Sequence, residues 1–225
     1  MAKLMRRYLT AEEQPRLLAA AKGEADPLAQ RDYHWMAALI LTGMRIEEFS
    51  LLRVPQVALA LRAGWLVSNA QACKGGRGNE YRVTAQLHFH LEALMRYAAL
   101  LGGDAPVPAE GLPLVPGRHG VPLTVRSYQQ RIKLWAAKAG LDTSISPHWL
   151  RHTRAMNIIR SSRATSPGMA LRVCQAALGH SSIKTTSMYL RLSREELATE
   201  LDRVDGPARM SRKQARAWAQ EMGVA

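Results

Sequence analysis

Several features that would fix a protein's class are scarce or missing in this sequence. It has two cysteines, Cys73 and Cys174, whose separation matches neither a disulfide framework nor a thiolate metal site, so a reducing compartment is expected. Apolar runs such as Met36 to Leu41 fall far short of the length that crosses a bilayer, and no transmembrane segment is expected. No apolar stretch preceded by basic residues reads as a signal peptide, which makes the cytoplasm the expected location. There is no internal repeat and no low-complexity tract. A glycine-rich phosphate loop of the Walker type is absent, as is a carboxylate cluster suited to two metal ions, so no nucleotide or metal cofactor is expected. Acidic residues are outnumbered, 18 against 31 Lys and Arg, and the net charge of +13 attracts polyanions. Nucleic acid is the favoured partner over an anionic membrane, although charge alone does not separate the two.

What is present suits a folded protein. The 225 residues are 47% hydrophobic and 22% charged, enough to bury a full core in one domain. Thr10 caps a first helix that runs to Gly23, and Pro27 opens a second, apolar nearly all round, that Gly43 ends. A short helix begins near Arg45. From Val57 to Thr84 short runs separated by glycines (Val57 to Leu61, Trp65 to Ser68, Tyr81 to Thr84) predict a small antiparallel sheet of two or three strands. Helical spacing resumes from Leu87 to Leu101, and the Gly- and Pro-rich stretch from Gly102 to Pro122 reads as a loop. Thr124 caps a helix ending at Gly140, Ser146 and Pro147 open one that continues to about Ser161, and Met169 to Ala177 forms another, closed by Gly179. Ser182 or Thr185 opens the helix carrying Tyr189. The expected fold class is α+β, mainly α, with the small sheet.

Three strings carry chemistry. In Leu41-Thr42-Gly43-Met44-Arg45-Ile46-Glu47-Glu48 an arginine follows a glycine turn at the start of a helix, where backbone N–H groups also face an anion. Arginine suits a phosphate because its planar fork donates in two directions and stays charged when partly buried. Taken singly, Arg45 reads equally as a surface residue. In His148-Trp149-Leu150-Arg151-His152-Thr153 both His148 and Arg151 fall in the first turns of a helix and share a face near its positive end. The i, i+4 spacing of His148 and His152 also suits zinc, but the glutamate of a metalloprotease helix and a clustered third ligand are missing. In Leu178-Gly179-His180-Ser181-Ser182-Ile183-Lys184-Thr185-Thr186-Ser187-Met188-Tyr189, His180 sits on a turn and Tyr189 on the following helix, where packing is the competing role for a lone tyrosine.

In order and spacing the three strings resemble the tyrosine recombinase (phage integrase) family, whose motifs run TGxRxxE, a hairpin lysine, HxLRH[ST] and LGHxxxxTTxxY. The resemblance covers residues from about Tyr8 to Leu192 and implies a tyrosine-recombinase-like catalytic domain. By the same resemblance Tyr189 is the nucleophile that forms a 3′-phosphotyrosine link and frees a 5′-hydroxyl, while Arg45 and Arg151 clamp the scissile phosphate. His148 would take the tyrosine proton or hydrogen-bond the phosphate, and His180 would complete the clamp. Lys74, followed by Gly75 and Gly76 in the predicted hairpin, would protonate the leaving oxygen, with Arg77 and Arg82 in the same hairpin. Glu48 would be structural support, and Arg77 and Lys184 are expected to contact DNA. A phosphotyrosine ester keeps the bond energy of the cut phosphodiester, so a free DNA hydroxyl can reverse the attack without ATP.

The implied function is site-specific cutting and rejoining of double-stranded DNA, with a homotetramer on DNA as the active form. Two rivals are a type IB topoisomerase, which shares the nucleophile and clamp, and a DNA-binding regulator derived from a recombinase and no longer catalytic. Most members carry an N-terminal helical domain that closes over DNA. Here the catalytic pattern starts within the first ten or so residues, so the expectation is a single-domain member, a fragment, or a recombinase that relies on an accessory protein. Arg154 stands where an apolar or aromatic residue is usual, and the polar stretch from Arg160 to Pro167 is longer than the family pattern. The expected division is a catalytic domain over 1–205 and a basic tail or helix over 206–225, where Arg209, Arg212, Lys213 and Arg216 alternate with Met210, Ala215, Trp218 and Met222. Such a helix would dock on a neighbouring protomer; a solvated tail is the other reading.

Overall fold

The computed structural model describes residues 8–69, 78–102, 111–117, 120–162 and 167–178. Along these residues run α1 (Glu13–Lys22), α2 (Pro27–Thr42), α3 (Ile46–Ser50), α4 (Val54–Ala63), β1 (Trp65–Val67), β2 (Glu80–Arg82), α5 (Ala85–Gly102), α6 (Val125–Lys138), α7 (Pro147–Ser162) and α8 (Pro167–Leu178). The fold is mainly helical with one small antiparallel sheet, as expected from the sequence. Among the described residues no helix is long and apolar enough to cross a membrane.

The caps form where the sequence places them. Thr10 Oγ1 accepts the Glu13 N–H at 3.2 Å while the Glu13 carboxylate accepts the Thr10 N–H at 2.8 Å, a reciprocal box at the head of α1. Asp26 accepts the Ala29 N–H ahead of Pro27, and Thr124 accepts the Ser127 N–H at 3.1 Å. α2 ends at Gly43, whose φ of 65° turns the chain into the next loop.

One expected strand is a helix. Val57 to Leu61 lies within α4: Pro55 sits in its first turn, Gln56 Oε1 accepts the Arg53 N–H, and Gly64 closes it in the left-handed region. Val57 and Ala60, three apart, face the core, whereas Leu59 between them is exposed. Alternation of Leu and Ala over so short a run fits a strand and one helical face equally well, and the capping residues decide between them. The sheet therefore has two strands, with Trp65 opposite Arg82, Leu66 opposite Tyr81 and Val67 opposite Glu80. β2 begins one residue earlier than expected and stops at Arg82, because Thr84 turns away to cap α5 by accepting the Leu87 N–H.

The core surrounds α2, which packs against α1, α5 and α7 and buries Trp35, Met36, Ala38 and Leu39. Its strongest polar anchor is Asp32, fully buried. Asp32 Oδ1 accepts from Arg31 Nη2 at 2.8 Å and from Trp35 Nε1 at 2.9 Å, while Oδ2 accepts from Trp135 Nε1 at 2.8 Å and from Arg131 Nε. Arg31 also donates to the Pro116 carbonyl, so one carboxylate ties together α2, α6 and the segment 111–117. On another face of α2, His34 and His90 of α5 meet Nδ1 to Nδ1 at 2.9 Å among the rings of Tyr33, Phe89 and Tyr97. Only one of the two facing nitrogens can donate.

Asp32→Ala should cost about 3–5 kcal/mol, because it strands the buried Arg31 guanidinium, and denaturant unfolding measures that loss. Acid should weaken the fold through the histidine pair. Burial, and next the charge of His90, pull His34 down to about 4; burial also lowers His90. The folded protein therefore binds fewer protons than the unfolded chain, whose histidines titrate near 6.5. Stability present above pH 6.5 should fall by on the order of 2 kcal/mol as pH drops toward 4, and His34→Phe should flatten that slope in thermal melts across the window.

Candidate active site

Two arginines distant in sequence meet around one turn of backbone. Gly43 ends α2, Met44 N–H donates to Thr42 Oγ1 at 3.2 Å, and Arg45 enters in extended conformation as the residue before α3. Arg45 Nη1 donates to Glu48 Oε1 at 2.8 Å, one turn along that helix. Arg45 keeps 30% of its side chain exposed while Glu48 is fully buried, so a partly exposed arginine is tied at Nη1 to a buried carboxylate.

Arg151 comes to the same place from α7. Its helix face places Leu150, Ala155 and Ile159 in the interior, and the arginine itself is only 4% exposed. Nη1 donates to the Gly43 carbonyl and Nη2 to the Leu178 carbonyl, both at 2.6 Å. The second arginine thus holds the turn that carries the first. His148 lies one turn before Arg151 on α7 and is exposed; its Nε2 meets Nε2 of the buried His152 at 2.6 Å, the rings perpendicular. Two imidazole nitrogens in direct hydrogen-bond contact leave no space for an ion between them, and among the described residues no group of three His, Cys, Asp or Glu could hold a metal.

Arg154, which replaces the usual apolar residue behind Arg151, packs its aliphatic stem where an apolar side chain would go. A Cβ built on Gly43 would lie 3.0 Å from Arg154 Cγ and 2.4 Å from Leu178 Cδ2. Its guanidinium borders a cleft of about 320 Å³ lined also by Leu41, Thr42, Tyr81 and Val173, and burial lowers its pKa. Nearby, burial pushes the Cys174 thiol up to about 11, which keeps it a packing residue rather than a nucleophile.

Sequence reading misses two side chains here. Tyr81 O–H donates to Glu48 Oε2 at 2.8 Å, and Asn79 Nδ2 lies 3.3 Å from both Glu48 oxygens. Burial, then the charge of Glu48, hold the Tyr81 phenol well above its ordinary pKa, against the opposing pull of Arg151 and Arg45. The signal in the sequence was the alternation of charged Glu80, aromatic Tyr81 and charged Arg82, and in the strand it turns Tyr81 inward. The structure brings Arg45, Glu48 and Arg151 together, with His148 on the same helix as Arg151. Lys74, Arg77, His180, Lys184, Tyr189 and the tail 206–225 lie outside the described residues.

Residues 7–196 match the phage integrase family. The tyrosine recombinase XerC of Neisseria gonorrhoeae is 30% identical over 187 residues, covering 83% of this chain and 55% of that protein. XerC of Xylella fastidiosa strain M23 is 34% identical over 183 residues, 81% of this chain and 56% of that protein. The chain spans little more than half the length of the curated relatives it matches. The crystal structure of XerA recombinase superposes with a TM-score of 0.69 at 23% identity, over 93% of this chain and 67% of that one. XerH site-specific recombinase bound to palindromic difH substrate, in a post-cleavage complex, gives 0.69 at 22% identity, over 88% and 53%. These two likenesses show the shared fold.

Gly43→Ala tests the turn on which both arginines depend. A left-handed φ together with overlap onto Leu178 should cost roughly 2–4 kcal/mol, read by denaturant unfolding, and should loosen the Arg151 anchor.

Proposed function

The chain belongs to the phage integrase family, and we propose that it cuts and rejoins double-stranded DNA at specific sites through a covalent 3′-phosphotyrosine intermediate. The observation that carries this reading is the link between the arginines: Arg151 holds the Gly43 carbonyl two residues ahead of Arg45, so both guanidiniums are placed around one turn. Transfer at a phosphodiester needs cations on the non-bridging oxygens, and two planar forks from different helices supply them without a metal.

In the proposed reaction the Tyr189 hydroxyl oxygen attacks phosphorus in line. The phenolic proton passes to His148, the 5′-oxygen leaves with a proton from Lys74, and His180 adds a donor to the clamp. Religation runs the same steps backward with a different 5′-hydroxyl. Tyr81, the described tyrosine within reach of both arginines, is a poor nucleophile: it is buried, its hydroxyl is committed to Glu48, and its pKa is raised. The proposed nucleophile is therefore a different tyrosine, and the LGHxxxxTTxxY string assigns that role to Tyr189. Arg77 and Lys184 are proposed DNA contacts, in keeping with the net charge of +13. Strand exchange requires two duplexes each cut on both strands, which favours a homotetramer on DNA. The amphipathic tail over 206–225 is proposed to join its protomers, and an accessory protein could supply DNA contacts beyond this chain. The proposed setting is the cytoplasm.

The test is covalent capture from a pool of nicked duplexes with randomised arms, where loss of the short fragment past the nick traps the adduct. Wild type should yield a protein–DNA adduct that maps to the peptide containing Tyr189. Tyr189→Phe should abolish the adduct, by at least about 1000-fold, while DNA affinity stays within roughly twofold. An adduct that survives this substitution overturns the assignment, and a wild type that binds but never forms one overturns the enzyme reading.

A further inference from the structure

Glu48 presents a problem of charge. Its carboxylate is fully buried, and such a group persists as an anion only if donors inside the protein replace its water. Arg45 supplies one at Oε1. The others come from the sheet: the Tyr81 hydroxyl on Oε2 and the Asn79 amide across both oxygens. We propose that Tyr81 and Asn79 are positioning residues of the phosphate clamp, which orient Arg45 through Glu48 and so tie the base of the β1–β2 hairpin to the reacting phosphate. The inference rests on the reading of Arg45 as a clamp residue.

The geometry gives each donor a fixed origin. Tyr81 is the central residue of β2, held opposite Leu66 by the ladder, and its ring is buried. Asn79 precedes β2. Its backbone N–H donates to Ser68 Oγ and its carbonyl accepts the Ser68 N–H, both at 2.9 Å, so its amide departs from a backbone already fixed by β1. A carboxylate gripped at Oε2 by a phenol and across both oxygens by an amide cannot turn about its last side-chain bond. Oε1 therefore has one position, and the Arg45 fork takes its orientation from it. Burial and the charge of Glu48 hold the Tyr81 phenol above its ordinary pKa, which favours the protonated donor.

A purely structural account predicts something different. The Tyr81 ring fills the core with or without its hydroxyl, so Tyr81→Phe keeps the packing and removes one donor from Glu48. If the hydroxyl only stabilised the fold, the substitution would lower the melting temperature and leave reactivity alone. If it orients Arg45, it slows chemistry more than binding, and only while Arg45 is present.

The experiment is a double-mutant cycle on the nicked duplex that wild type captures from the randomised pool. Single-turnover adduct formation, DNA affinity and thermal unfolding are measured for wild type, Tyr81→Phe, Asn79→Ala, Arg45→Ala and the doubles with Arg45→Ala. Tyr81→Phe should slow adduct formation roughly tenfold with DNA affinity within about twofold, and should add less than about twofold in the Arg45→Ala background. A rate equal to wild type, or the same slowing with and without Arg45, overturns the proposal. Should Tyr81→Phe fail to fold, Asn79→Ala carries the same comparison. A wild type that forms no adduct with any duplex defeats the recombinase reading instead. The positioning claim is then decided in the free protein by the Arg45 Nε–H resonance: a shift and a loss of order in Tyr81→Phe uphold it, and an unchanged resonance overturns it.

Discussion

A guanidinium almost wholly removed from water must find its hydrogen bonds inside the protein, and Arg151 finds two of them on the backbone at the ends of α2 and α8. The choice of partners follows from helix physics. The last carbonyls of a helix have no amide to accept from and carry the negative end of its dipole, so a cation placed between two such ends satisfies both. Gly43 and Leu178 are those ends. The same bonds fix the turn from which Arg45 departs, and Gly43 permits the turn because its φ of 65° suits a residue without a Cβ, in a space that Leu178 and Arg154 have already filled. The proposed phosphate clamp is in this sense a by-product of how three helices are joined. Arg154 contributes by geometry, lending a hydrocarbon stem to the packing under the turn.

Features that depend on a few neighbouring residues were legible from the sequence. Thr10, Pro27, Gly43 and Thr124 mark helix boundaries because capping is a local hydrogen-bonding matter, and each acts where expected. Arg45 and Arg151 stood out by their placement at helix starts within recognisable strings. Val57 to Leu61 failed because five alternating residues satisfy a strand and a helix face alike, and the deciding signals, Pro55 and Gly64, flank the run rather than lie in it. Tyr81 and Asn79 were missed for another reason. Their importance comes from a carboxylate more than thirty residues away, and it exists only once the register of β1 against β2 turns Tyr81 inward. His152, considered as a metal ligand from its spacing, has its Nε2 against the His148 ring nitrogen instead, a contact that spacing alone does not distinguish from shared coordination.

Among the described residues two carboxylates, Asp32 and Glu48, are fully buried and each is paired with an arginine, but they differ in what else they hold together. Asp32 lies against Arg31, which is 1% exposed and also donates to the Pro116 carbonyl, and against Arg131, which is 25% exposed; the indole N–H groups of Trp35 and Trp135 complete its shell. Glu48 lies against Arg45, which keeps 30% of its side chain open to solvent. Burying an ion pair carries a desolvation cost that a well-packed apolar pair of the same volume would avoid, so stability alone is a weak reason for either. The Asp32 network has a structural reason, since it fixes α2, α6 and the segment 111–117 in one arrangement that apolar contacts, being non-directional, specify less sharply. For Glu48 the proposed role of Arg45 in the phosphate clamp offers a reason. A cation held by a buried anion at one edge and left accessible at another is already oriented before a phosphate arrives, so less of the binding energy goes into ordering a long side chain. A buried carboxylate fixed by the sheet, with a partly exposed arginine at the start of a helix, is the arrangement that the proposed preorganisation for a phosphate requires.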